Sequence, residues 1–353
     1  MPTPESQIQF LTNLQRLLSE GSFVSTYKYA LLMALADLAV ERGSDDDRTL
    51  DIPTRLIAEK FIEYYWRQST PFVSATGAES LGVLRQNTGR QAGIVRVLLQ
   101  ARAQHEGSLV EARSHTEMWR KLTVNVDSFV RTMPLWKLQT VGGQRLDFLY
   151  DNIGRGRQIV LKPGVGYCLR KHYPMVADLV KGAWARYVRR FNGDLLGQQA
   201  DLGEFLFGSE RANLGVVVPI LQEFQHGECF YCRRPLKSES AHVDHFIPWS
   251  RYPVDLGHNF VLAHASCNGM KSDRLAASAH LDAWVDRQER HAKLLSADFN
   301  RYGVVNDLAS SARIANWAYA NTFDCHGLTW VRGDELRKLE ADWSRSLTRL
   351  LNL

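Results

Sequence analysis

The sequence predicts a mainly α chain that carries one small α+β, metal-binding segment. Three observations predict it. Apolar residues recur at helical spacing through most of the chain. Past Gly142 the texture changes to short apolar runs, β-branched residues and frequent glycines. Three of the five cysteines and four of the eleven histidines crowd between Cys229 and Cys267.

The bounds agree with an ordinary globular protein. A chain of 353 residues can bury a sizeable core or two or three smaller ones. Hydrophobic content of 45% and charged content of 23% exclude disordered and fibrous classes. A net charge of +5 is compatible with a nucleic-acid partner without selecting one. Five cysteines in a chain this long make no disulfide scaffold, and their clustering points to metal binding in a reducing compartment. The first residues lack the basic start and apolar run of a secretory signal. The longest apolar stretch, Tyr29 to Val40, is broken by Asp37 and is too short to span a bilayer. It reads as a buried helix, and the expectation is a soluble, cytoplasmic protein with no membrane partner.

The elements follow in order. In "IQFLTNLQRLL", Ile8, Leu11, Leu14 and Leu18 fall on one helical face, with Gly21 as the stop. "YKYALLMALADLAVERG" is a second helix ending at Gly43. A polar loop leads to Pro53, where a third helix starts and places Leu56, Phe61 and Tyr64 or Tyr65 on one side. "GRQAGIVRVLLQAR" and "VNVDSFVRTM" are further helices; Arg90, Arg96 and Arg102 read as a solvated face with a phosphate-contacting face as the alternative. "RLDFLYDNIGRGRQIVLKPGVGYCLRK" reads as two or three strands, with turns at Gly154-Arg155-Gly156 and Pro163-Gly164. In "MVADLVKGAWARYVRRFNG", Trp184, Tyr187 and Val188 interleave with Lys181, Arg186, Arg189 and Arg190. That helix either buries its aromatics and solvates its arginines or presents both to nucleic acid. A helix pair then delivers the chain to Cys229. Beyond Asp273, "LDAWVDRQERHAKLL", "NDLASSARIANWAYANTF" and "ELRKLEADWSRSLTRLL" all carry helical spacing.

Cys229-x2-Cys232 and His264-x2-Cys267 are two paired-ligand knuckles, the layout of a structural zinc site. Four nitrogen and sulfur ligands close a tetrahedral shell, so such a zinc holds a poorly cored segment together and leaves no position for chemistry. The lone Cys168 and Cys325 read as buried thiols.

A structural zinc leaves Asp244, His245, Asn259, Asn268 and Lys271 unexplained. "VDHFIPWS", "HNFVL" and "CNGMKSD" together resemble the HNH endonuclease family, over Cys229 to Arg274. The resemblance implies a ββα-metal core, with an Asp-His pair ending one strand, an Asn beginning the next, and an Asn or His on the following helix. Those places fall on Asp244-His245, Asn259 and Asn268, which it implies to be the catalytic residues. His264 stands where a cysteine is commoner and keeps a zinc ligand. Asn268 stands where colicin-type nucleases have a second histidine. The resemblance also implies duplex DNA as substrate, cut to 5′-phosphate and 3′-hydroxyl ends.

The chemistry agrees on independent grounds. Phosphodiester hydrolysis needs an activated water, charge stabilisation at phosphorus and help for the leaving oxygen. Asp244 and Asn268 offer oxygen ligands suited to Mg²⁺ or Mn²⁺ rather than zinc. Adjacent strand residues point to opposite sides, so His245 can reach a water while Asp244 holds the ion. An ordinary imidazole suits a base at neutral pH. Asn259 is expected to orient His245 through the backbone. Lys271 reads either as a phosphate or leaving-group contact or as a surface lysine. Arg233, Arg234, Lys237 and Arg251 are candidate phosphate contacts. Phe246 and Trp249 read as core, His258 as a turn residue, and His242 as facing the same way as Asp244.

Four regions are expected: helical over 1–140, mixed β/α over 141–222, the nuclease over 223–275 and helical over 276–353. Free-standing nucleases of this layout are associated with bacterial restriction and anti-phage systems, which adds a defence role with protein partners to the expectations. The rivals are a non-catalytic zinc-knuckle module that binds nucleic acid or protein, and a nuclease for RNA or branched DNA.

Overall fold

The computed structural model describes residues 1–21, 23–72, 82–89, 92–104, 109–151, 156–196, 202–208 and 214–352. Arg90 and the turn residues Gly154 and Arg155 lie outside them. The chain divides into two compact units, Met1–Glu210 and Arg211–Leu353.

The first unit is almost wholly helical. Its elements are α1 (Pro4–Glu20), α2 (Tyr27–Arg42), β1 (Leu50–Pro53), α3 (Thr54–Gln68), α4 (Gly93–Gln104), α5 (Leu109–Ser114), α6 (Thr116–Thr132) and α7 (Pro134–Lys137). A short hairpin of β2 (Thr140–Val141) and β3 (Gln144–Arg145) follows, then β4 (Gln158–Leu161), α8 (Val165–Lys171), α9 (Tyr173–Phe191), α10 (Gly193–Leu196) and α11 (Leu202–Phe207). Helix α2 is buried from Lys28 to Glu41 and packs against α3, α8 and α9. A helix apolar on all sides belongs in the centre of a bundle. Its acidic residues therefore need partners. Asp37 accepts hydrogen bonds from Tyr64 Oη at 2.5 Å and Tyr173 Oη at 2.7 Å. Lys60 Nζ reaches Glu41 at 2.7 Å and Glu63 at 3.1 Å. Burial still pushes the Asp37 and Glu41 carboxyls above their ordinary range.

Three expectations need correction in this unit. Helix α1 buries Phe10, Leu14 and Leu17, while Ile8 is 64% exposed. The true stripe runs i, i+4, i+7 through Phe10, on a neighbouring face of the same helix. "GYCLRK" is helix α8 instead of strand: Gly164, at φ +78, turns the chain straight from β4 into it. Arg102 is neither solvated nor free for phosphate, because it donates to the Trp66 carbonyl at 3.1 Å and lies over the Trp66 ring. On α9, Trp184, Tyr187 and Val188 are buried and Arg186, Arg189 and Arg190 are exposed.

The second unit contains α12 (Val217–Phe224), β5 (Ala241–His245), β6 (Phe260–His264), α13 (Ala265–Lys271), α14 (Ser278–Arg301), α15 (Leu308–Asp324), β7 (Leu328–Arg332), β8 (Glu335–Lys338) and α16 (Ser344–Leu351). Strands β5 and β6 pair antiparallel, with Asp244 opposite Val261 and His245 opposite Phe260. Phe260 and Leu262, alternate residues of β6, share a core with Val217, Ile220 and Leu221 of α12 and Leu295 and Phe299 of α14. Phe246 stacks on Trp284 of α14 at 5.2 Å. The small ββα element thus borrows its core from the helices around it, as a segment too short for its own core must.

"ELRK" is strand β8, not the start of a helix. Leu336 and Leu339 mimic helical spacing, but Gly333 (φ +49) and Asp334 make a two-residue turn that pairs Arg332 with Glu335. His258 is a turn residue, but a fully buried one. Its ring meets Gln288 Oε1 and Ser296 Oγ, each at 2.9 Å, and its carbonyl accepts from Trp284, Arg287 and Gln288. Burial lowers its imidazole to about 4, so it stands neutral in the fold. Cys168 is buried as expected, whereas Cys325 is exposed just past α15.

A candidate metal centre and the groups beside it

Cys229, Cys232, His264 and Cys267 come together from two places. The first pair sits in a tight turn closed by Cys229 N–H to the Arg234 carbonyl and by the Glu228–Pro235 bridge. Arg233 adopts φ +58 within that turn. The second pair spans the junction where β6 ends and α13 begins. The four ligand atoms lie within 4.8 Å of one another. His264 Nδ1 is 3.3 Å from Cys232 Sγ, and Nε2 reaches the Pro235 carbonyl at 3.1 Å. A ring held at Nε2 by a carbonyl presents Nδ1 as the ligand.

The donor chemistry fits zinc. Burial, and then the neighbouring Cys229 and Cys232 sulfurs, push the Cys267 thiol up. At Cys232 burial also raises the thiol, but hydrogen bonds led by Arg234 outweigh it and bring it down. Thiolates crowded this closely repel one another, and a bound dication removes that repulsion.

Asp244 is the penultimate residue of β5, meets Lys271 of α13 and is buried. Its Oδ2 takes two donors: Tyr231 Oη at 2.5 Å and Lys271 Nζ at 3.0 Å. Among the described residues no donor reaches Oδ1. Lys271 overturns both expectations for it. It is fully buried, and besides Asp244 it donates to the His245 carbonyl at 2.9 Å. Burial lowers its ammonium and Asp244 pulls it back up.

His245 occupies a different environment. Its Nε2 lies 2.7 Å from Asp255 Oδ1, and its ring is flanked edge-on by Trp249 and Phe260, each at 5.1 Å. Asn259 clamps the chain two residues further on. Its Nδ2 donates to the Ile247 carbonyl at 3.0 Å and its Oδ1 accepts the Ile247 N–H at 2.8 Å. Asn268 follows Cys267 on α13, half-buried, and its side chain makes no hydrogen bond among the described residues. His242 is exposed.

The segment from Cys229 to Arg274 matches the family model of HNH endonucleases. Residues 229–274 are an HNH endonuclease domain. A second match, to a domain of unknown function (DUF8808), covers residues 7–106. No curated protein and no solved structure matches the chain. Among the described residues, no helix is long and apolar enough to cross a membrane.

Around the HNH domain, Arg233, Arg234 and Lys237 are exposed. Arg251 is half-buried and donates to the Asp273 carbonyl at 3.4 Å and Thr322 Oγ1 at 3.3 Å. Two groups beside the site escaped sequence reasoning. Tyr231 had a signal, as one of the two aromatics between the first two cysteines. Asp255 had none, because only the fold of the loop brings it to His245.

Proposed function

We propose that the chain is a divalent-metal-dependent endonuclease that hydrolyses phosphodiester bonds of double-stranded DNA. The observation that carries this reading is the partition of the Asp244-His245 pair. One Asp244 oxygen is held by Tyr231 and Lys271 and the other meets no donor among the described residues, while the His245 ring points to a separate cluster. Asp244 and Asn268 would hold Mg²⁺ or Mn²⁺, which supplies Lewis-acid stabilisation of the phosphorane and of the leaving 3′ oxygen. His245 takes a proton from the attacking water. Asn259 keeps His245 in place by fixing the backbone that follows it. The zinc on Cys229, Cys232, His264 and Cys267 holds the element together and takes no part in the reaction.

The test is a cleavage panel of duplex, single-stranded, branched and RNA substrates, with and without Mg²⁺ or Mn²⁺. Metal-dependent cutting of duplex DNA, abolished in His245→Ala with zinc content and DNA binding retained, is the expected result. Preference for RNA or a branched substrate reassigns the substrate. No cutting of any substrate makes the domain a zinc-held binding module. The wider setting we read from this layout is a cytoplasmic restriction or anti-phage system with protein partners. Phage plaque counts on cells expressing the wild type and His245→Ala test it.

A further inference from the structure

Resting on the nuclease reading above, we propose that Asp255 is the positioning residue of His245 and leaves Nδ1 as the nitrogen that takes the proton. A carboxylate accepts hydrogen bonds and donates none. The 2.7 Å contact between His245 Nε2 and Asp255 Oδ1 therefore places the ring hydrogen on Nε2. In the neutral imidazole the lone pair is then on Nδ1. No hydrogen bond occupies Nδ1 among the described residues.

Both partners are held. The imidazole sits edge-on between Trp249 and Phe260, so the ring cannot swing freely about its side-chain torsions. Asp255 precedes an anchored loop. The Gly257 N–H donates to the Val305 carbonyl at 2.8 Å, and the Phe299 ring stands where a side chain at Gly257 would begin, 2.5 Å from the place its Cβ would take. One residue on, buried His258 is fixed by Gln288 and Ser296 of α14. A carboxylate on so fixed a loop can dictate the tautomer of its partner.

In the reaction, the water oxygen forms the new bond to phosphorus and its proton goes to Nδ1. The bond from phosphorus to the 3′ oxygen breaks, and that oxygen leaves as the hydroxyl after taking a proton from solvent. The Nε2 hydrogen stays in place. Asp255 keeps its charge and stabilises the imidazolium that forms.

Long-range ¹H–¹⁵N spectra of zinc-loaded full-length protein, labelled at histidine and recorded at pH 8 without substrate, read the tautomer directly. The expected result is an Nε2–H signature for His245 in the wild type that is lost or mixed in Asp255→Asn. Cleavage by Asp255→Asn should fall by about a hundredfold or more at unchanged zinc content, Mn²⁺ binding and DNA affinity, and Asp255→Glu should recover part of the rate. An Nδ1–H signature in the wild type overturns the proposal whether or not the protein cuts DNA. An Asp255→Asn variant that keeps either the Nε2–H signature or near wild-type cleavage also overturns it. A wild type that shows the Nε2–H signature but cuts no substrate refutes the nuclease reading and leaves the dyad standing.

Discussion

The Lys271 ammonium lies 3.0 Å from Asp244 Oδ2, and the lysine is fully buried. Tyr231 Oη reaches the same oxygen. Two donors on one oxygen fix the orientation of the carboxylate. The same ion pair makes the domain's stability depend on both charges.

Lys271→Met should destabilise the second unit, because it leaves a buried carboxylate without its cation, at a cost of about 3 kcal/mol. Adding Asp244→Asn should recover much of that loss. Urea unfolding followed by tryptophan fluorescence measures both. Additive losses in the double variant would show that the pair is not coupled.

The purified protein should carry one tightly held zinc per chain. Cys267→Ser removes a ligand and should unfold or aggregate the domain, since zinc binding there is part of folding. Elemental analysis reads the zinc, and soluble, folded protein without it would refute the ligand set.

Asp244→Ala and Asn268→Ala should fail to cut by losing the hard-ion site, and raised Mn²⁺ should restore part of their activity. His245→Ala should not respond to Mn²⁺. Mild EDTA should stop wild-type cleavage before zinc is lost, because two oxygen ligands hold an ion more weakly than a closed thiolate shell. Cleavage and zinc release followed in one titration decide the order.

Acid should weaken the second unit through His258. Its imidazole is held at about 4 in the fold by burial, against 6.5 ordinarily. Between those values the unfolded chain binds the extra proton. The contribution is therefore complete above about 6.5 and lost as pH falls toward 4, roughly 3 kcal/mol in all. The difference in urea midpoint between wild type and His258→Gln, followed from pH 7 to 4.5, should shrink as pH falls. A constant difference would place the proton elsewhere.

DNA affinity should fall steeply with salt and change little with base sequence. Neutralising Arg186, Arg189, Arg190, Arg233 and Arg234 should lower the salt slope by about one unit for each phosphate that no longer meets an arginine. An unchanged slope removes those residues from the interface.

The sequence by itself determined what depends on chain neighbours and on period. The two knuckles are legible because tetrahedral zinc takes ligands from tight turns, where two residues separate Cys229 from Cys232 and His264 from Cys267. Asp244 and His245 are legible as a pair because they are covalent neighbours. Buried α2 is legible because it is apolar on every face. Only the tertiary structure decided which of two adjacent faces α1 buries, since Ile8 and Phe10 are equally apolar and the choice rests with what packs against them. It alone closed the hairpin of β7 and β8, where cross-strand pairing overrode a short helical period. It also made Lys271, which the sequence left as either a phosphate or leaving-group contact or a surface residue, a buried partner of Asp244, and brought Asp255 and Tyr231 to the Asp-His pair. A charged side chain is buried where a counter-charge or carbonyl acceptors meet it, and that meeting is set by strand register and loop path, which no local pattern encodes.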